Sequence, residues 1–265
     1  DGLADARETL IEGTLWNDSD TDDDKLNDGD EVLTYDTDPL SPDTDGDGVL
    51  EPLELHIVII HVGHDQARTA QEFDIWSHRW FIGGAPLVVD GVRVSGADSA
   101  GYMMLAEDSP LGTFAHEFGH NLGLPDLYDT DYSSEGVGDW SLMGSGSWLG
   151  GGDARDGSSP AHLDAWSKVF LGWVTPEVIT SVNSPALNKT INQMETTGAT
   201  VVQLLENPNG PDDWDAAGNG VGEYFLLEYR RRTGYDSALP GEGLLIWHVD
   251  ESRGNNNDET HKLID

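Results

Sequence analysis

His116-Glu117-Phe118-Gly119-His120-Asn121-Leu122-Gly123-Leu124-Pro125-Asp126 is the stretch from which the rest of the chain can be read. Residues four apart emerge on one helix face, one turn apart, so His116 and His120 can grip a single zinc ion. Glu117 lies beside the first of them, oriented to hold a metal-bound water and take its proton. Zinc lowers that water's pKa to about 7, which makes a nucleophile available near neutrality. Gly123 stands where a helix C-terminus wants a residue tolerant of left-handed geometry, and Pro125 forbids continuation. The chain must therefore turn sharply, and Asp126 is the first residue beyond the turn able to reach back as third ligand. The other route to a third ligand is a Glu from a later helix, and Glu135 is the residue within reach of it. Two His on an ordinary amphipathic helix would not need Gly123 and Asp126 at their fixed places, so the metal reading is preferred.

Working outward, Ser109-Pro110 predicts the start of this helix, with Ser as cap and Pro in the first turn. Before it, Leu55–Val62 is apolar and β-branched and reads as a buried strand. Ile75–Trp80 is aromatic-rich and is expected beneath a sheet. Leu87–Val94 reads as a hairpin turning at Asp90-Gly91, and Ala100–Ala106 as a further strand. After it, Ser159-Pro160 predicts a helix running to about Leu171. The segments 200–205, 223–228 and 243–249 then read as short β elements. The loop 207–220 is acidic, and Leu263-Ile264-Asp265 ends on an apolar run that suggests a continuing chain. Six of the other His (His56, His61, His64, His78, His162 and His248) lack metal spacing to one another and read as hydrogen-bonded structural residues.

The first 54 residues have a chemistry of their own. They hold 19 of the 50 Asp and Glu of the 265-residue chain but only two of its 13 Lys and Arg. Asp43, Asp45, Asp47, Glu51 and Glu54 occupy positions 1, 3, 5, 9 and 12 of a loop, and Asp20, Asp22, Asp24, Asp28 and Glu31 repeat the pattern 23 residues earlier. Asp1, Asp5 and Glu8 match the second half of a third copy, so the chain starts inside a repeat. Ca²⁺ takes six to eight oxygens, and a loop of alternating Asp with a distal Glu can wrap one ion. Gly48 suits the sharp turn of the second loop, and Lys25 takes its place in the first. With the linking stretch Leu33–Asp43, these loops resemble thrombospondin type 3 calcium repeats, which implies a secreted protein. A solvated acidic coat is the alternative for the same charge.

A formal net charge of -37 makes nucleic acid an improbable partner, and an anionic membrane surface equally so. No run of apolar residues is long enough to insert in a membrane. Cysteine is absent, which leaves stapling to metal ions.

Several motifs in a fixed order carry a second resemblance: the segment His116–Thr130, then Trp140-Ser-Leu-Met-Gly-Ser-Gly-Ser-Trp148, Ala165-Trp-Ser-Lys168, Leu171-Gly-Trp173 and Leu239–Asp250. From about residue 55 onward the chain resembles the immune inhibitor A family of secreted bacterial and archaeal metallopeptidases. That resemblance implies an α+β, metzincin-like zincin fold in which His116, His120 and Asp126 bind zinc and Glu117 is the general base. It also implies a methionine turn at Met143 beneath the metal. The usual metzincin pattern has His where Asp126 stands. The Tyr that assists at the metal in some metzincins would fall at Ser145, leaving Tyr128 and Tyr132 as substitutes.

The expected organisation is calcium repeats over 1–54, a zinc peptidase core over 55–175, and a β-rich continuation over 176–265. The expected function is a secreted zinc endopeptidase that acts on protein or peptide substrates through a Glu-activated, zinc-bound water. The rival reading is a non-enzymatic, calcium-stiffened adhesion protein with a retired protease domain. A metal-dependent hydrolase of another bond shares the His-Glu motif alone.

Overall fold

The computed structural model describes residues 14, 21, 28–30, 32, 39–40, 57–80, 88–89, 92–93, 101–131, 133–151, 155–179, 189–195, 200–205, 222–253, 255–257 and 262–265. Of the proposed calcium ligands, Asp20, Asp22, Asp24, Glu31, Asp43, Asp45, Asp47, Glu51 and Glu54 lie outside these residues. Asp28 lies within them, at the head of a helical turn at Asp28–Asp30. Its buried carboxylate accepts from Thr21 N at 2.7 Å and Thr21 Oγ1 at 2.8 Å.

The described residues form a mixed α and β fold with few helices. Strands β1 (Ile57–His61), β2 (His78–Trp80) and β5 (Tyr102–Ala106) make one sheet in the order β1-β5-β2. A short helix α1 (Gln66–Thr69) lies between β1 and β2 in sequence, with Asp65 as its N-cap. β3 (Val88–Val89) and β4 (Val92–Arg93) pair antiparallel with Val89 opposite Val92, so the connection is the two residues Asp90-Gly91, as expected. Two expectations about burial are corrected. Val58, Ile59 and Ile60 of β1, an edge strand, are exposed on both faces. The 75–80 segment does not pack beneath a sheet: its end is the opposite edge strand, and Trp76 and Trp80 are exposed.

Two compact units divide the chain, residues 1–59 with 79–104, and residues 60–78 with 105–265. The second unit holds α2 (Leu111–Asn121), α3 (Ala165–Phe170) and a four-stranded sheet in the order β6-β7-β8-β9. Its strands are β6 (Glu177–Ile179), β7 (Val202–Leu204), β8 (Glu223–Arg230) and β9 (Gly243–Asp250). β6 runs parallel to β7 and the other pairs are antiparallel, Glu223 lying opposite Asp250 and Arg230 opposite Gly243. The period-2 alternation of β8 buries Tyr224, Leu226, Glu228 and Arg230 on one face.

One core joins this sheet to the helices: Leu226, Trp247 and Val249 belong to the same buried cluster as Trp166, Met143 and Leu124. The cluster therefore crosses residue 175 without a break. Arg230 ties the parts together through two 2.6 Å bonds, Nε and Nη2 donating to the Asp236 carboxylate, while Nη1 reaches Trp140 O at 3.3 Å. Two buried charges are tolerated there because the fork is bidentate.

Both helix starts differ from the sequence reading. α2 has Pro110 at its N-cap, and the Ser109 hydroxyl instead accepts from Ala106 N at 3.1 Å, closing the turn out of β5. α3 begins at Ala165, not at Ser159-Pro160, with Asp164 as N-cap accepting from Ser167 N at 2.9 Å. A carboxylate that also binds the Ser167 hydroxyl at 2.8 Å is a stronger start signal than a Ser before a Pro.

Candidate active site

The local fold around the opening motif follows from three glycines. A Cβ on Gly112 would stand 1.8 Å from Ser147 O, so only Gly lets α2 pass that close to the backbone after Met143. A Cβ on Gly119 would stand 2.5 Å from Met143 Sδ, which places the fully buried methionine against the helix between the two His. Gly123, at φ +93°, ends the helix: its N–H donates to His120 O and that of Leu124 to Gly119 O, both at 3.0 Å, the paired bonds of a Schellman motif. The turn sends Leu124 O back to accept from His120 Nδ1 at 2.7 Å and brings Asp126 over the imidazoles.

Three atoms converge there. His116 Nε2 and His120 Nε2 lie 3.1 Å apart, and Asp126 Oδ1 lies 3.1 Å from the first and 3.2 Å from the second. The Nδ1–H of His116 donates to Leu142 O at 3.0 Å, as that of His120 does to Leu124 O. A carbonyl can only accept, so each neutral ring presents an Nε2 lone pair. Two lone pairs and a carboxylate therefore face one another, an arrangement that calls for a cation at its centre.

The triangle has the right size for zinc. Tetrahedral bonds of about 2.0–2.1 Å separate neighbouring ligands by roughly 3.3 Å. The donor set fits the ion, and carbonyls on both Nδ1 atoms fix the tautomers as outer partners of metal-bound His do. Among the described residues these three form a cluster able to hold a metal; Glu135 is not part of it. The comparison of third ligands thus places Asp126 at the imidazoles and Glu135 elsewhere.

The electrostatics agree with a cation site. Burial opposes ionisation of Asp126, but the two imidazoles beside it override that and hold the carboxyl far below its usual range. Burial likewise opposes protonation of His116, yet the adjacent carboxylate of Asp126 carries its pKa upward. Burial raises Glu117, and the two imidazoles only partly offset it.

His116 and Glu117 form part of the wall of a cavity of about 320 Å³. Tyr128 also lines it, its ring stacked near His116 with centroids 6.1 Å apart, and so does Ser145. Tyr132 and His56 lie outside the described residues. Of the other described His, His64 Nδ1 binds Asp108 at 2.7 Å, and His162 and His248 face Glu195 and Glu223 at 3.3 Å.

Sequence reading missed the supports of this site. Ser141 Oγ donates to Asp164 at 2.6 Å and accepts from Met143 N at 3.2 Å, so the cap of α3 holds the methionine segment. Asp164-Ala-Trp-Ser167 carried that signal as an N-cap pattern. Asn256, buried, donates to Leu127 O at 2.7 Å and braces the loop after Asp126. Its partner is 129 residues away, and nothing local marks it.

Comparison with known proteins supplies the family. Over 176 residues, 61% of this chain, it is 34% identical to Immune inhibitor A of Bacillus thuringiensis subsp. alesti. Over 169 residues, 57% of the chain, it is 35% identical to Pre-pro-metalloprotease PrtV of Vibrio cholerae serotype O1 (strain M66-2). The matched part spans 25% of the first relative and 18% of the second. Residues 3–174 match the family described as Immune inhibitor A peptidase M6, catalytic domain, a match that takes in the acidic segment as well as the metal motif. With His116, His120 and Asp126 gathered inside the matched region, the chain belongs to the immune inhibitor A (M6) peptidase family.

Proposed function

We propose that this chain is the catalytic part of a secreted zinc endopeptidase that cleaves protein or peptide substrates. The observation that carries the proposal is the meeting of three acceptor atoms, His116 Nε2, His120 Nε2 and Asp126 Oδ1, beside Glu117 at a cavity. The chemistry that zinc supplies when bound is Lewis-acid polarisation of the scissile carbonyl and acidification of water. Glu117 takes the proton of the attacking water and later returns it to the leaving amine. Its burial suits that exchange, since a carboxyl with a raised pKa is the stronger base.

Met143 acts as the floor of a metzincin-like site, a structural task consistent with its full burial against Gly119. The acidic loops of residues 1–54 bind Ca²⁺ and stiffen the chain outside the cell, a reading supported by their ligand spacing. The intact Glu117 argues against a retired protease, because a purely adhesive protein needs no general base. Casein hydrolysis before and after chelation tests the proposal. Activity is expected to vanish on chelation and return with zinc, and hydrolysis that survives complete zinc removal would refute it.

A further inference from the structure

The cavity at the metal triad differs from an ordinary apolar pocket in its charge. Its walls carry Glu117, Asp129 and Glu135, and no Lys or Arg among the described residues lines it. Two of these carboxylates are already committed. Glu117 serves the reacting water in the function proposed above. Asp129, buried, accepts from Ser133 Oγ and Ser134 N at 2.7 Å and from Asp131 N at 3.0 Å.

Glu135 is different. It is solvent-exposed and has no ion pair among the described residues; Arg155, whose charge it feels, is held by Asp139 at 2.8 Å. The same cavity has Trp76 and Trp148 in its walls, aromatic faces that attract a cation and pack the stem of a long side chain. A cavity of about 320 Å³ accommodates such a stem. The chain's net charge of -37 adds a long-range field that draws cationic substrates toward it.

We infer that this cavity receives a basic side chain, Lys or Arg, of the substrate next to the bond cleaved, with Glu135 as its counter-charge and Trp76 and Trp148 as its flanks. The inference rests on the peptidase reading and adds the substrate class to it. The rival occupant is a large apolar side chain, which the tryptophans alone would favour.

Two peptides that differ only in carrying Lys or Leu at the selected position decide the matter. With zinc-loaded wild-type protein, kcat/KM is expected to favour Lys. In Glu135→Gln the Lys-to-Leu ratio is expected to fall about fivefold, the scale of a partly screened ion pair. Calorimetric binding of both peptides to zinc-loaded Glu117→Gln protein, with and without Glu135→Gln, reads the same preference without turnover. A wild-type preference for Leu, or a ratio unmoved by Glu135→Gln in both measurements, overturns the inference. Absence of any cleavage by the wild-type protein sinks the peptidase reading instead, and the binding ratio still decides the cavity's preference.

Discussion

Asp126 is the residue on which the site turns. Gly123 and the paired bonds at the end of α2 aim it at the imidazoles, 3.1 and 3.2 Å away. Glu135 is outside that triangle. Asp126→Ala is therefore expected to lower zinc affinity by at least the 10–100-fold typical of disturbing a metal site's outer partners, since it removes the proposed third ligand. Glu135→Ala is expected to retain zinc. Metal content measured after dialysis checks both, and loss of zinc from Glu135→Ala with retention in Asp126→Ala would reverse the assignment. The meeting of the two His with Asp126 was legible in the sequence because a helix period and a helix stop are local rules. The carbonyls that orient the rings were not. Leu142 O reaches His116 from 26 residues away, and a backbone acceptor leaves no mark on composition.

Among the elements, α3 carries a cost that its sequence hides. Lys168 is buried, and its Nζ has no hydrogen-bond partner among the described residues. Burial drives its pKa below the ordinary 10.5, against the opposing pull of Glu228. Between the folded value and 10.5 the unfolded chain binds the extra proton, so stability rises with pH across that window. Denaturation at a series of alkaline pH values, with zinc saturating, should show that rise in the wild-type protein and its loss in Lys168→Met. Equal pH slopes in the two proteins would contradict the assignment.

Elements with a strong local pattern were readable: the hairpin at Asp90-Gly91, the strand before α2, and the alternating strands β8 and β9. The start of α3 was misplaced because Ser159-Pro160 resembles a cap, whereas the capping bonds are made by Asp164. β6 was missed because a three-residue strand has too little periodicity to register. The exposure of β1 was missed for another reason: an apolar run does not say whether the faces of its strand are covered.

For the whole molecule, the sequence divides into an acidic segment and a peptidase core, and the family match runs from residue 3 to residue 174. Calcium loading is the property that would unite them. Calorimetry on the whole chain is expected to show Ca²⁺ uptake, reduced by one ion when Asp43, Asp45 and Asp47 are changed to Asn. No uptake, or an unchanged stoichiometry in the variant, would leave an acidic coat as the better reading. No helix among the described residues is long and apolar enough to cross a membrane.

The central claim, that three ligands and one carboxylate make a peptidase, is tested most directly on Glu117→Gln. Its zinc content and casein hydrolysis should be measured on the same sample. The account predicts full zinc occupancy with hydrolysis reduced by roughly 10²- to 10⁴-fold, the range that general acid–base catalysis contributes. Hydrolysis at the wild-type rate, with zinc still bound, would contradict it.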